Sequence, residues 1–207
     1  MDLVDIFPAT IAVAELKTLT PELIAAARQL LDADCSSFNP NPVAGDGQYT
    51  REQQLLNLPV FAPLQQEILG MCREFAKAHL HRIDDIAICN SWGNVVRQGE
   101  SIRYHRHSNA YICGSFYLTD GSAFNILNQH HANLFNFSPA KESGSNYRAL
   151  ESFTIPPKPG RIVLFPANLM HSVLPSQSTA PRYSIAFNAI PVGRVGQATS
   201  LMDIRMP

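Results

Sequence analysis

Residues 159–188 read PGRIVLFPANLMHSVLPSQSTAPRYSIAFN, and this segment carries the clearest strand pattern of the chain. Pro159-Gly160 predicts a turn, and the apolar residues 162–165 have the length and composition of a buried strand. His171 follows that strand. From residue 182 to 188, polar and apolar side chains alternate, which is typical of a second strand with two different faces. One face carries Tyr183, Ile185 and Phe187, and the other carries Arg182, Ser184, Ala186 and Asn188.

The polar face of this second strand has two interpretations. It could face solvent, or it could point into a barrel, where the Arg182 guanidinium and the Ser184 hydroxyl would together bind a carboxylate. If a turn centres near Ser178, Arg182 lies opposite Leu174. Leu174 is three residues from His171, which at a rise of ~3.3 Å per residue is a gap of about 10 Å. A five-carbon diacid could span that gap, with its near end on a metal ion.

Upstream of this stretch, the pattern changes from helical to strand-like near residue 85. Thr20-Pro21-Glu22 supplies an N-cap, a proline in the first turn and an acid at the positive end of a helix. A second helix is expected to begin near Pro63. Helices followed by short strands predict an antiparallel sheet or sandwich with the helices packed on one side. The expected buried stripes are Leu23, Ile24, Ala27, Leu30 and Leu31, then Leu64, Ile68, Cys72, Phe75 and His79; the expected strands are 86–96, 111–118, 153–155, 162–165 and 184–190.

The overall composition is that of a globular domain. Of 207 residues, 45% are hydrophobic and 16% are charged, and the formal net charge of −1 gives no electrostatic footprint for nucleic acid or for an anionic membrane. No apolar run is long enough to span a bilayer. The N-terminal segment has acidic residues where a signal peptide has basic ones. The four cysteines are scattered without a CxxC pair, so we expect a protein of the reducing cytoplasm.

Seven histidines supply the candidate metal ligands. His105 and His107 stand two residues apart, just before a strand-like run. Alternation within a strand would direct both imidazoles to one ion, although a solvent-exposed strand end accounts equally well for this pair alone. His171 adds a third imidazole from a distant part of the chain. The other H-x-H pair, His79 and His81, is better explained by the positive charge that a helix C-terminus favours.

Residues 125–151 interrupt the strand pattern. The segment is rich in asparagine, and a loop of this length is either a lid or binding loop or a floppy insertion. His130 and His131 lie within it and could contact a substrate or solvent.

Six parts of the sequence match the motifs of a known enzyme family. They are WGNVVRQG (92–99), HRHSN (105–109), GSFYL (114–118), PGRIVLFP (159–166), His171 and RYSIAFN (182–188). With these motifs the chain resembles the Fe(II)- and 2-oxoglutarate-dependent oxygenases, most closely a family, often of phage or bacterial origin, that has HxH in place of the usual HxD. In prolyl-hydroxylase-like members a glycine stands six residues before the first ligand, as Gly99 stands before His105. The resemblance covers most of the chain, including Phe7-Pro8.

The resemblance implies a set of site residues. His105, His107 and His171 would bind Fe(II), with His107 in the place of the usual carboxylate. Arg182 with Ser184 would bind the far carboxylate of 2-oxoglutarate, since in prolyl-hydroxylase-like members the basic residue follows the distal histidine by about ten positions.

The departure from the usual carboxylate at position 107 has consequences of its own. A third neutral imidazole leaves the site with one more positive charge, which would favour the dianionic cosubstrate and change the metal preference. Zinc also accepts three histidines, and Asn109 or a water could take this position instead. Asn188 could contact the cosubstrate or satisfy a strand end. The candidates for the pocket wall are Trp92, Tyr104, Asn109, Tyr111, Cys113 and Tyr117. For several of them, packing in the core is the alternative role.

The fold that the resemblance implies is a double-stranded β-helix (a cupin-like jelly roll) over roughly residues 84–192, in a mainly β chain with N-terminal helices (α+β). Residues 1–83 would support this core from outside, partly against the apolar face of residues 182–188. Residues 193–207 would form a tail, and the whole would be a single domain. The implied activity is that of a dioxygenase, an oxidoreductase that couples decarboxylation of 2-oxoglutarate to hydroxylation of a substrate.

Two other functions fit the same residues. One is a cupin-type enzyme in which three histidines bind iron, manganese, nickel or zinc without 2-oxoglutarate, and the other is a non-catalytic jelly roll that binds a ligand. The expected partner is a small-molecule or peptide substrate, not nucleic acid or a membrane. A monomer and an oligomer are both compatible with the sequence.

Overall fold

Both helices expected from the sequence are present in the computed structural model. They are α1 (Pro21–Asp34) and α2 (Ala62–Ala78). Thr20 caps α1, because its Oγ1 accepts a hydrogen bond from the Leu23 backbone N–H at 3.2 Å. The structure describes residues 9–36, 45–78, 83–129 and 150–206.

The strands begin earlier in the chain than the sequence pattern predicts. Three short strands precede residue 83, and the two longest strands have 14 residues each. The described strands are β1 (Ala12–Glu15), β2 (Cys35–Ser36), β3 (Gln48–Thr50), β4 (Ile83–Val96), β5 (Ile102–His105), β6 (Ile112–Tyr117), β7 (Phe124–Leu127), β8 (Ser152–Ile155), β9 (Arg161–Pro166), β10 (His171–Val173), β11 (Arg182–Val195) and β12 (Met202–Ile204).

These strands form two antiparallel sheets. The larger sheet has eight strands in the order β1-β9-β6-β11-β4-β3-β2, with β12 paired to β11 off this path. The smaller sheet has four strands in the order β5-β10-β7-β8. Strands that neighbour one another in a sheet are mostly distant in sequence, as in a jelly roll. The expected double-stranded β-helix with N-terminal helices is confirmed.

The apolar face of β11 packs against the helices, as expected. Tyr183, Ile185 and Phe187 are almost fully buried and belong to one apolar cluster with residues of α1 and α2. Gly93 of β4 lets this layer approach closely, because a Cβ there would lie only 2.5 Å from Cγ of Leu31 in α1. The helices therefore cover one face of the larger sheet and leave its other face to the smaller sheet.

A second apolar cluster lies between the two sheets. The larger sheet contributes Cys113, Tyr117 and Phe165, and the smaller sheet contributes Phe124 and Ile155. This cluster holds the two sheets face to face. A cavity lined partly by polar side chains lies between their inner faces.

The structure corrects the expected hairpin between His171 and Arg182. Strand β10 pairs with β5 and β7, whereas β11 pairs with β4 and β6. Arg182 is thus opposite Val96, not Leu174. The connection contains Pro175 and Pro181, and proline cannot donate to a strand ladder, so the chain crosses from one sheet to the other.

A second correction concerns the segment 125–151, which was expected to be a loop throughout. Its first three residues belong to β7 and pair with β8 and β10. The following predicted features lie outside the described residues: Phe7-Pro8, His79, His81, His130, His131 and positions 130–149 of the expected loop. Neither described helix is both long enough and apolar enough to cross a membrane.

Candidate metal centre and cosubstrate pocket

Three histidines converge on the inner face of the smaller sheet. His105 ends β5 and His171 begins β10, and the two residues are direct partners in the antiparallel ladder. His107 is held beside them by its backbone N–H, which donates to the carbonyl of Ala167 at 2.9 Å. One ring nitrogen from each of the three lies within 4.8 Å of the others. This spacing suits three ligands of a single ion.

Hydrogen bonds to the backbone fix the tautomers of two of these rings. Nδ1 of His105 lies 2.8 Å from the carbonyl oxygen of Arg103, and Nδ1 of His171 lies 2.8 Å from that of Leu169. A carbonyl can only accept, so each Nδ1 carries the proton and donates it. The lone pair of each ring is therefore on Nε2, as in metal sites where a backbone carbonyl orients the ligand.

Burial keeps His107 and His171 neutral. Phe165 packs edge-on against His171 with ring centroids 4.6 Å apart, and Phe124 lies 5.4 Å away. Burial, reinforced by His105, lowers the pKa of His171 to about 3 and that of His107 to about 4. Neutral imidazoles are the form that binds metals, so these two rings are ready to bind a cation near neutral pH.

A buried guanidinium faces the cavity from the larger sheet. Arg182 is 1% exposed. Its Nη1 donates to Oγ of Ser184 at 3.2 Å, while its Nε has no hydrogen-bond partner among the described residues. Tyr117 lies under the guanidinium, 5.0 Å from Cζ to the ring centroid. Gly121 has a φ of +138° and leaves room for the side chain, because a Cβ there would lie 2.8 Å from Cβ of Arg182.

The described part of the chain supplies no counter-ion to this guanidinium. None of the ion pairs between described residues includes Arg182, and burial lowers its pKa. A buried charge without a partner is costly. Burial raises the pKa of the neighbouring Tyr117 hydroxyl, which stays protonated with the side chains of Arg182 and Ser115 beside it. The geometry therefore offers an anion the Nε–H of Arg182, which has no partner among the described residues.

The histidines and the guanidinium line one cavity. It encloses about 460 Å³ of space, part of it open to solvent. Its described lining is Tyr49, Trp92, Asn94, Ile102, His105, His107, Cys113, Gly114, Ser115, Phe124, Phe165, His171, Ser172, Val173, Arg182, Ser184, Ala186 and Phe187.

Residues 90–188 match a family model described as "Putative 2OG-Fe(II) oxygenase". This segment is a 2OG-Fe(II) oxygenase domain. It contains the three clustered histidines together with Arg182 and Ser184. No curated protein matches the chain.

Solved structures share the fold of this oxygenase domain at low sequence identity. HygX from Streptomyces hygroscopicus, solved with nickel, 2-oxoglutarate and hygromycin B, is 16% identical over 88% of this chain and 83% of its own, with a TM-score of 0.60. The epimerase SnoN, in complex with Fe3+, alpha ketoglutarate and nogalamycin RO, is 14% identical over 89% and 80%, with a TM-score of 0.64. A Pseudomonas putida prolyl-4-hydroxylase is 13% identical over 87% and 92%, with a TM-score of 0.59.

Fe(II) and 2-oxoglutarate, the metal and cosubstrate of this oxygenase family, fit the residues present. Three imidazoles, two of them with Nδ1 bonded to a backbone carbonyl and Nε2 left to bind, offer ligands to a divalent cation. The unpaired guanidinium of Arg182 offers a site for a carboxylate. Because both groups line the same cavity, a molecule with an acid at each end can contact both.

Two of the pocket-wall residues expected from the sequence line the oxygenase cavity. Trp92 lies against His107, with ring centroids 5.9 Å apart. Cys113 also lines it, and its thiol donates to Oδ1 of Asn188 at 3.1 Å. Asn188, expected to contact the cosubstrate, is itself outside the lining.

The other predicted pocket residues lie away from the described lining. Tyr104 is 47% exposed, and its hydroxyl accepts a hydrogen bond from the side chain of Asn125. Asn109 is exposed. Tyr111 packs against the apolar cluster on the helix side. Tyr117 lies beneath Arg182, where it contacts the guanidinium instead of the open cavity.

Several lining residues were missed in the sequence, among them Asn94, Ser115 and Tyr49. Asn94 and Ser115 follow Trp92 and Cys113 at a spacing of two, so the strand period would have placed them on the same face. Tyr49 belongs to a strand of only three residues after a Pro- and Gly-rich stretch. A strand of that length carries no detectable period, so no signal in the sequence points to it.

Proposed function

We propose that this protein is an Fe(II)- and 2-oxoglutarate-dependent hydroxylase in which His105, His107 and His171 bind the metal. Arg182, with Ser184, binds the far carboxylate of 2-oxoglutarate. One observation carries the proposal: a cluster of three imidazoles shares its cavity with a fully buried guanidinium that has no acidic partner among the described residues.

The protein's own groups would orient the cosubstrate. Arg182 donates to one carboxylate, Ser184 keeps the guanidinium in place, and the ring of Tyr117 supports it from beneath. When bound, Fe(II) with 2-oxoglutarate and dioxygen supplies the oxidising power, with release of succinate and carbon dioxide. The apolar rings of Phe124 and Phe165 limit the access of water to the histidines.

A three-histidine enzyme that does not use 2-oxoglutarate accounts less well for these contacts. Such an enzyme has no evident use for a buried, unpaired guanidinium, whose retention costs stability. The same holds for a non-catalytic ligand-binding jelly roll, which has no evident need of three imidazoles with their lone pairs directed together. The environment of Arg182 thus favours the 2-oxoglutarate enzyme.

The decisive experiment measures succinate. Protein stripped of metal is loaded with Fe(II) under anaerobic conditions, mixed with 2-oxoglutarate and exposed to oxygen, and succinate is quantified without any added substrate. We expect more than one succinate per protein, and none above background for His171→Ala. Iron-loaded protein that forms no succinate would contradict the proposal. Metal-dependent chemistry that is indifferent to Arg182→Met would favour the enzyme without 2-oxoglutarate.

The setting of the reaction is also part of the proposal. Cys35, Cys72, Cys89 and Cys113 are free thiols in the structure, which suits a reducing compartment such as the cytoplasm. The proposed partner is a small-molecule or peptide substrate, since the net charge of −1 provides no attraction for nucleic acid or an anionic membrane.

A further inference from the structure

The only tryptophan of the chain lies at the reactive end of the cavity. The Trp92 ring is inclined by 30° to that of His107, with centroids 5.9 Å apart. It is only partly buried, although it stands on β4 in the interior of the larger sheet. A tryptophan that served packing alone would be enclosed by its neighbours. This ring instead presents surface to the cavity beside the metal centre.

The polar edge of Trp92 is already satisfied. Its Nε1–H donates to Oδ1 of Asn94 at 3.1 Å, and Asn94 is 5% exposed. Because this bond fixes the orientation of the indole, a ligand meets the ring without having to supply an acceptor for its N–H. Opposite Trp92 in the ladder stands Ala186, whose small side chain leaves space above the sheet.

The described lining of the cavity offers no partner to a charged substrate group. Arg182 is the only Asp, Glu, Lys or Arg in the described lining, and the proposed function assigns it to the cosubstrate carboxylate. A substrate ammonium would find no acid there, and a substrate carboxylate would find no second cation. Removing such a charge from water without a partner is costly. The charge pattern therefore selects an uncharged group.

Part of the cavity lining is apolar. Ile102 and Val173 belong to a cluster of buried side chains on which Tyr49 packs, and all three line the cavity. The face of an indole such as Trp92 favours a flat group that can lie against it.

We propose that Trp92 is a specificity-determining residue that stacks on the substrate, and that the substrate group bound there is uncharged and planar, such as an aromatic or heteroaromatic ring. This inference rests on the proposed function for the assignment of Arg182 to 2-oxoglutarate. Asn94 acts as a positioning residue that holds the indole in place.

A matched series of fragments tests the inference. Benzamide is the neutral planar probe, benzylamine and benzoate add a charge of either sign, and cyclohexanecarboxamide keeps the amide without a planar ring. Affinities are measured by saturation-transfer NMR on protein loaded with Ni(II) and 2-oxoglutarate. We expect benzamide to bind at least about fivefold more tightly than the other three, given the cost of burying an unpaired charge and the gain from stacking.

Variants of Trp92 give the second comparison. Trp92→Ala should weaken benzamide binding by about three- to tenfold, in line with the contribution of an aromatic pair, and Trp92→Phe should retain most of the affinity. Phe153→Ala, which changes an exposed aromatic residue of β8, is the matched control and should leave the affinity unchanged. Three results would overturn the inference. They are binding of benzylamine or benzoate as tight as that of benzamide, an affinity for benzamide that is unchanged in Trp92→Ala, and no detectable binding of benzamide.

Calorimetric titration of 2-oxoglutarate into the same Ni(II)-loaded sample separates this inference from the proposed function. Absence of 2-oxoglutarate binding contradicts the proposed function. If 2-oxoglutarate binds but substitution of Trp92 leaves the fragment affinities unchanged, the inference about Trp92 fails while the proposed function stands.

Discussion

The two faces of β11 are equally buried but are built from opposite chemistry. On the helix side, Tyr183 and Ile185 are almost fully buried among apolar side chains. On the cavity side, Arg182 and Ser184 are 1% and 0% exposed, yet the guanidinium has no acidic partner among the described residues. Burial on the helix side stabilises the fold, whereas burial on the cavity side costs stability.

The apolar face of this strand therefore serves folding, and its polar face serves a ligand. A strand directs alternate side chains to opposite faces, so adjacent residues can have independent roles. Substitutions at neighbouring positions should therefore affect different properties, and each of the following changes tests that separation.

The largest effect is expected for Ile185→Ala, on the helix side. Removing a fully buried isoleucine side chain leaves a cavity, so the free energy of unfolding should fall by about 2–5 kcal/mol, as measured by urea denaturation. The affinity of the folded protein for 2-oxoglutarate, measured by calorimetry with Ni(II), should stay within about twofold of wild type because the side chain points away from the cavity. A loss of stability below about 1 kcal/mol would mean that the helix-side cluster is loosely packed.

Arg182→Met, on the cavity side, should have the reverse profile. The affinity for 2-oxoglutarate should fall by about 100-fold, as expected when one partner of a buried charge pair is removed. Stability without ligand should be unchanged or higher, because an unpaired buried charge is replaced by an apolar side chain.

The control at this position is Arg182→Lys, which keeps the charge but loses the planar fork, and its affinity should be intermediate. If Arg182→Met lowered the free energy of unfolding as much as Ile185→Ala does, the guanidinium would have a structural role and the contrast between the faces would fail.

The smallest effect is expected for Ser184→Ala, next to Ile185 but on the other face. Its hydroxyl accepts one hydrogen bond from Arg182, so the affinity for 2-oxoglutarate should fall by about three- to tenfold. The free energy of unfolding should change by less than about 1 kcal/mol, since the methylene group that packs is retained. If Ser184→Ala lowered the free energy of unfolding by more than it weakened the free energy of binding 2-oxoglutarate, this face would serve the fold instead of the ligand.

Local patterns in the sequence predicted most of the fold. The N-cap at Thr20 and the apolar stripes located both helices, and the period of two located β4, β6, β9 and β11 to within a few residues. The alternation along β11 also separated its two faces correctly, because it depends only on the geometry of a single strand.

Pairing between distant strands could not be predicted in the same way. The expected hairpin from His171 to Arg182 was wrong, because a three-residue strand and a proline-containing connection carry no period that reveals the sheet to which they belong. Strands β1, β2 and β3 were missed for the same reason. The three histidines were nonetheless predicted as one group, because the family motif contains all three. In the structure, one ring nitrogen of each lies within 4.8 Å of the others.

Trp92 can report metal binding at the three histidines, because the ring of this only tryptophan of the chain lies 5.9 Å from that of His107, measured between centroids. Metal-free protein is titrated with Ni(II) while fluorescence excited at about 295 nm is recorded, where tryptophan absorbs and tyrosine contributes little. Saturable quenching with one Ni(II) per chain is predicted. His105→Ala, His107→Ala and His171→Ala should each weaken the Ni(II) affinity at least about tenfold, and Asn109→Ala should match wild type. Absence of quenching, or quenching that persists unchanged in all three histidine variants, would contradict a metal centre at these residues.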